Sequence, residues 1–386
     1  MNLRRRSFAV GSIILMLGIA GVRATSGVAG AATRSASGAI PIGSTLPLTG
    51  AAAPYGKAQQ EGFELGLTDA AKALGGKTTF HLIPLDSQAD PATAVEEARQ
   101  LTTTDHVVAI ATTFTTPPLA QLPIAARAQV PLINSGGDDP ALAGHDWLWN
   151  TNLNVGQQTY SMFLYAKEHL GVKKVSIITD NNYTSTAPKD EVAEAKEIFG
   201  QANVPIQIID ASSSAPGPAL AQVLSSKPDA LFFLLTGSDQ AVALKALTQQ
   251  GVKIPVISGN GAIVASPQVL ASASYPFYYA TANNPPSATL TSEFKARFGT
   301  APNFLSVAYY DAARILGDVV QRLKQQGKSV TGANIQHVLA TPGMKYKIDN
   351  GTFSFTPQHT AVGTSTIFKF KNGKAVAVQS NVPTSA

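Results

Sequence analysis

The sequence predicts an α/β protein built on doubly wound parallel sheets, and three observations carry that prediction. Short apolar runs alternate with helical stretches from Ser35 to Asn150, the pattern of parallel strands whose crossover helices cover both faces. The same alternation restarts near Asn154 and continues to about Ser258. At 386 residues and 44% hydrophobic content, the chain exceeds the size at which one core usually splits into two.

In order, AIPIGSTL (39–46) reads as a strand, 55–74 as a helix with apolar faces and TFHLIPLD (79–86) as a second strand. Asp90-Pro91 opens a helix running to about Thr104, because an N-cap acid followed by proline suits a first helical turn. VVAIA (107–111) and PLIN (131–134) are apolar runs of strands buried on both faces, with a helix between them. The composition turns polar after each: Thr112, Thr113, Thr115 and Thr116, then Ser135, Gly136, Gly137 and Asp138. Ligands of open α/β sheets bind beyond the carboxyl ends of strands, so these two loops are a candidate pocket floor. Thr116-Pro117 and Asp139-Pro140 also suit helix capping. The sequence leaves both roles open. WLWNTN (147–152) closes the series with a short strand.

The second series runs helix 155–169, strand KVSIITD (174–180), helix 188–199, strand VPIQIID (204–210), helix 218–226, strand DALFFLLT (229–236), helix 239–250 and strand IPVIS (254–258). It repeats the architecture of the first without clear sequence self-similarity. Asn283-Asn284-Pro285-Pro286 is a turn-rich break, followed by helices at 289–298 and 303–325. From Met344 the chain changes character. NGTFSF (350–355) and TSTIFKFKNGKAVAV (364–378), the latter around Asn372-Gly373, read as a hairpin or small antiparallel edge.

The formal charge of +5 misleads, because Arg4, Arg5, Arg6 and Arg23 lie in the first 31 residues, which hold no acid, and the rest carries +1. That balance provides no electrostatic reason to expect nucleic acid or an anionic membrane as partner. Residues 1–31 read as an export signal: a basic start, an apolar run over 8–22 too short for a secure membrane span, and a small-residue cleavage site at Ala29-Gly30-Ala31. Arg5-Arg6-Ser7-Phe8 resembles a twin-arginine core, with ordinary secretion still open. The expected mature chain begins near Ala32, outside the cytoplasm and without a lipid anchor, since no Cys exists to carry one. His81, His106, His145, His169, His337 and His359 show no metal-ligand spacing. No nucleophile elbow or phosphate loop occurs, and Gly259-Asn260-Gly261 lacks the third glycine of a dinucleotide site. No catalysis, metal or cofactor is expected.

Six stretches in order resemble the periplasmic binding proteins of branched-chain amino acid ABC transporters: IGSTLPLTGAAAPYGKAQQEGFELGL (42–67), DSQADPATAVEEARQL (86–101), VPLINSGGDDPAL (130–142), KKVSIITDNNYTS (173–185), GVKIPVISGNG (251–261) and AYYDAARIL (308–316). The resemblance spans about 40–378. It implies two doubly wound lobes joined by three crossovers, near Asn154, Asn283 and Met344, with a small solute clamped between them. Lobe 1 would hold 40–153 and 284–343, and lobe 2 would hold 154–283 and 344–386. The implied partner is an ABC permease and the implied state a monomer. Carried over position by position, the pocket falls on Tyr55, Thr115, Thr116, Ser135, Gly137, Asp138, Tyr183, Thr236 and Asn260.

Two departures stand against an amino-acid ligand. Asn260 stands where amino-acid-binding members place an acid for the ligand ammonium, and Asp138 stands where they carry a small hydroxyl. Pro117 and Pro118 also remove two backbone donors from a helix start that would otherwise favour an anion. The expected ligand therefore offers donors to Asp138: an amide, a urea-like group, a polyol or an amine without an adjacent carboxylate. A ligand sensor that signals to a receptor is the alternative role, and a secreted enzyme a more distant one.

Overall fold

The computed structural model describes residues 38–180, 187–209, 216–234, 237–260, 263, 267–282 and 284–384. The expected signal segment 1–31, Tyr183, Thr236, Gly261 and the expected crossover residue Asn283 lie outside the described residues.

The first sheet is five-stranded, in the order β2-β1-β3-β4-β5. Its strands β1 (Ile40–Leu46), β2 (Phe80–Asp86), β3 (Ile110–Thr112), β4 (Leu132–Asn134) and β5 (Leu148–Asn150) are parallel throughout. Helices α1 (Ala53–Ala73), α2 (Pro91–Thr103) and α3 (Thr116–Ala128) connect them. Strand order reverses between β1 and β3, so the loops leaving those strands open a crevice at the carboxyl edge. Asp90 caps α2, accepting from Thr93 N at 2.7 Å.

The second sheet has seven strands, β15-β14-β10-β9-β8-β6-β7. Its parallel members are β6 (Val175–Asp180), β7 (Ile206–Ile209), β8 (Ala230–Leu234), β9 (Val256–Ser258) and β10 (Phe277–Thr281). In order of appearance they repeat the 2-1-3-4-5 arrangement of the first sheet. The chain enters through α4 (Val155–His169), and α5 (Ala187–Phe199), α6 (Gly217–Ser225), α7 (Gly237–Gln249) and α8 (Pro267–Ala271) link the strands. Neither β10 nor α8 is marked in the sequence reading. FYYAT, set between Pro276 and Asn283, has all five residues buried mid-sheet.

After β10, α9 (Ala288–Phe298) and α10 (Phe304–Gln325) return the chain to the first sheet, followed by α11 (Gly332–Leu339). One apolar core joins Ile42, Phe63, Trp149, Tyr309 and Val319, and the opposite face of the same sheet packs on α2 and α3 through Leu101, Ile110, Leu132 and Leu142. The second sheet has its own pair of cores, around Phe163 and Phe232 on one face and Phe233 and Phe277 on the other.

The expected passage to lobe 2 at Met344 does not coincide with this packing. Strands β11 (Tyr346–Ile348), β12 (Gly351–Phe355) and β13 (Ala361–Val362) form a separate three-stranded antiparallel sheet. Tyr346, Phe353 and Phe355 belong to the first core, with Phe355 set edge-on to Trp149 at 4.7 Å. The chain joins the second sheet only at β14 (Ser365–Lys371), which pairs antiparallel with β10 and with β15 (Lys374–Val382). Asn372 and Gly373 turn that hairpin with φ of 52° and 73°, the left-handed pair that a two-residue turn requires.

Candidate functional site

The first site loop leaves β3. Phe114 adopts φ 63°, and this left-handed residue turns the backbone into α3. The helix begins at Thr116 with Thr115 as its cap residue, and the Thr115 hydroxyl makes no capping bond. The expected cap at Thr116 is thus displaced by one residue, because Thr115 already has helical φ and ψ of −104° and −53°. Thr116 is exposed and Thr115 half-buried. Behind them, Gln59 Nε2 donates to Thr113 Oγ1 at 2.8 Å and the Tyr309 hydroxyl donates to Thr112 O at 2.5 Å. Tyr55, half-buried at the start of α1, sets its ring edge-on to Phe114 at 5.9 Å, and burial pushes its hydroxyl above the ordinary tyrosine range.

The second loop leaves β4 and is bound to the first through one side chain. Asn134 Oδ1 accepts from the backbone N of Gly136 and of Gly137, each at 3.1 Å, while its Nδ2 donates to Phe114 O at 2.8 Å. Approach is so close that a Cβ at Gly136 would lie 2.3 Å from Thr113 Oγ1, and one at Gly137 would lie 2.4 Å from Phe114 O. At Gly137 the clash is with backbone and only glycine fits, whereas a side chain at Gly136 would force the Thr113 and Gln59 side chains aside. Ser135, expected in the pocket, is 1% exposed, and its hydroxyl is 2.5 Å from that of Thr151. It serves beneath the floor because the strand's alternation turns it inward. Asp139 Oδ1 accepts from Ala141 N at 2.8 Å but caps only a single 3₁₀ turn, Pro140–Leu142, and not the helix that the sequence suggested. Gly144, at φ 79°, follows directly.

Asp138 does not share that capping role. Its backbone carbonyl accepts from Val155 N at 2.7 Å, and its Oδ2 is 3.4 Å from Gln158 Nε2. Burial, and then the charge of Asp139, push its carboxyl up to about 6. Gln158, on α4 and 2% exposed, also donates from Nε2 to Leu153 O at 2.8 Å and accepts at Oε1 from Asn260 Nδ2 at 3.2 Å. Asn260, 7% exposed, follows β9 of the second sheet. A continuous chain, Asp138–Gln158–Asn260, therefore connects the strand-end loops of the two sheets.

Sequence reasoning missed Gln158. A glutamine in the first turns of a helix has no motif attached, and its one legible signal is its place on the buried face of α4, among Val155, Thr159 and Met162. The arrangement supplies one acid, two primary amides, two threonine hydroxyls and an aromatic ring. Thr112–Pro118, Asn134–Leu142 and Ser258–Asn260 contain no Lys or Arg. Among the described residues, no group of three His, Asp or Glu side chains comes together to hold a metal ion. No helix among them is long and apolar enough to cross a membrane.

Two doubly wound sheets whose strand-end loops meet through one hydrogen-bonded chain define a two-sheet α/β binding protein. The chain belongs to the periplasmic binding protein family, whose model matches residues 39–375. It is similar in fold to a leucine-binding protein, LivK, of Thermotoga maritima, at 22% identity and TM-score 0.73, over 89% of this chain and 99% of that one. The branched-chain amino acid transporter substrate-binding protein LivJ of Streptococcus pneumoniae, in complex with isoleucine, matches at 21% identity and TM-score 0.74 over 89% and 99%. A solute-binding protein of an ABC transporter from R. palustris, in complex with benzoate, matches at 21% identity and TM-score 0.70 over 90% and 97%. No curated protein matches the chain.

Proposed function

We propose that this chain is an exported, monomeric binding protein that closes two lobes over one small polar solute and delivers it to an ABC permease. Lobe 1 takes 40–153 and 284–362, and lobe 2 takes 154–283 and 363–386. The observation that carries the reading is the chain Asp138–Gln158–Asn260, in which the loop after β4 and the loop after β9 share one side chain. A solute that bonds to both ends favours the closed arrangement, and that differential contact supplies the bias for closure. Tyr55, Thr115, Thr116 and Gly137 complete the first-lobe wall, and Tyr183 and Thr236 are assigned to the second.

Relatives of this fold hold isoleucine or benzoate, both carboxylates. Here a carboxylate would meet Asp138 and find no lysine or arginine in the strand-end loops, and an unpaired charge in a closed cleft is costly. The solute is therefore a neutral or cationic donor such as an amide, a urea-like compound, a polyol or an amine lacking a carboxylate. For a Kd near ~1 µM, binding is worth about 8 kcal/mol. A hundredfold excess then stabilises the fold by roughly 2.7 kcal/mol, and each kcal/mol raises Tm by roughly 2–4 °C. Thermal melts of protein unfolded and refolded to strip bound solute should show that shift for members of the donor class and none for leucine, isoleucine or valine. A broad panel without any shift overturns the transport reading. Tight binding of leucine overturns the ligand class alone.

A further inference from the structure

Solute binding leaves one surface without a role. β15 is the outermost strand of the second sheet, and every residue from Lys374 to Asn381 is exposed. It carries Val376 at 54% and Val378 at 37% exposure. The hairpin register sets Lys371 opposite Lys374 and Lys369 opposite Val376, so three ammonium groups and a valine share one face of the ribbon. The other face carries Phe368 and Phe370, packed against the core of the second sheet, and this holds the lysine face in place. Like charges directly opposite each other destabilise a strand pair. Nothing nearby in sequence offsets them, because residues 350–386 contain no Asp or Glu. None of the ion pairs among the described residues involves these lysines. Lys369 rests over the Tyr278 ring at 5.5 Å. Beyond the first 31 residues the chain carries a net charge of only +1, so these lysines do not belong to a general excess of positive charge.

We propose that the β14–β15 ribbon docks on anionic bilayer surfaces, with Lys369, Lys371 and Lys374 on lipid headgroups and Val376 at the headgroup–acyl boundary. Cations interleaved with exposed aliphatic side chains suit that boundary, where long lysine stems lie along apolar material and keep their charge in water. An acidic protein surface would satisfy the lysines but offers the valine no comparable burial. Each lysine near an anionic bilayer is worth roughly a fivefold gain in partition, so three give roughly a hundredfold. Salt screens that gain. Docking of this kind keeps a binding protein in the plane where a membrane partner is met, and it stands whether or not the solute reading holds.

The full chain has no cysteine, so Val376→Cys places one polarity-sensitive dye on the ribbon, and Val242→Cys, at an exposed position on α7, serves as control. Vesicles of phosphatidylcholine mixed with phosphatidylglycerol should shift the dye at 376 to the blue and leave the dye at 242 unchanged. Pure phosphatidylcholine or molar salt should abolish the shift. Adding Lys371→Gln with Lys374→Gln should weaken it by roughly thirtyfold at a melting temperature no lower than that of the parent. If the pair fails to fold, Lys371→Gln alone gives the same comparison at roughly fivefold. No shift at 376, an equal shift on pure phosphatidylcholine, or a shift indifferent to the lysines overturns the proposal. A stronger response to polyglutamate than to vesicles overturns it too, and assigns the ribbon to an acidic protein partner.

Discussion

At residue 138 an acid is held between a second acid and a buried amide, and its proton affinity records that position. Its carboxyl is raised to about 6, by burial first and by Asp139 second. The folded state therefore binds this proton more tightly than the unfolded chain does, so stability falls as pH rises from about 4 to 6 and is level above that. Asp138→Asn removes this slope. It is expected to gain about 1–2 kcal/mol at pH 8 and nothing at pH 4, measured by denaturant melts at both values. Glu97, raised to about 7 by burial and by Asp86, has the same sign and a window one unit higher, so Glu97→Gln would separate from Asp138→Asn by pH. In Asp138→Asn the affinity for a donor-type solute should also drop at pH 8. An unchanged affinity makes Asp138 a structural residue. Asp138 was legible in the sequence as an acid out of place beside a glycine turn. Ser135, in the same loop, was expected in the pocket, and only the fold shows its hydroxyl turned to Thr151.

Among the elements, α1 and α10 lie in backbone contact, and their glycines are the reason they can. A Cβ on Gly62 would sit 2.0 Å from Ser306 O, and one on Gly66 would sit 2.5 Å from Tyr310 O. Backbone cannot move aside as a side-chain tip can, so Gly62→Ala should cost about 2–3 kcal/mol by overpacking, despite alanine's better helix propensity. A chemical melt checks it, and a neutral result would mean that the helices separate freely. On α4, Gln158→Leu keeps the volume but leaves Leu153 O without this donor and Asn260 Nδ2 without this acceptor. The expected loss is about 1–3 kcal/mol, with the Asp138 carboxyl moving further up as it loses its amide donor. An NMR titration of the Asp138 side chain reads that movement directly. Helices α1, α4 and α10 were legible as helical stretches in the sequence. Which helix faces which was not, since glycine spacing on α1 carries no mark of its partner.

Across the whole molecule, two sheets of the same strand order carry the loops that one side chain joins. The alternation of apolar runs and helical stretches determined by itself that the sheets would be parallel and doubly wound. It also determined that polar loops would leave β3 and β4, and that Asn372-Gly373 would turn a hairpin. These are local properties, because hydrophobic period and turn chemistry act within a few residues. Only the tertiary structure decided that FYYAT enters the second sheet, that Tyr346 and Phe355 hold 346–362 on the first core, and that Gln158 meets both Asp138 and Asn260. Burial and hydrogen bonding between residues as far apart as 138, 158 and 260 depend on sheet register and on which cores close. Those are properties of the packed whole, and no window of sequence contains them.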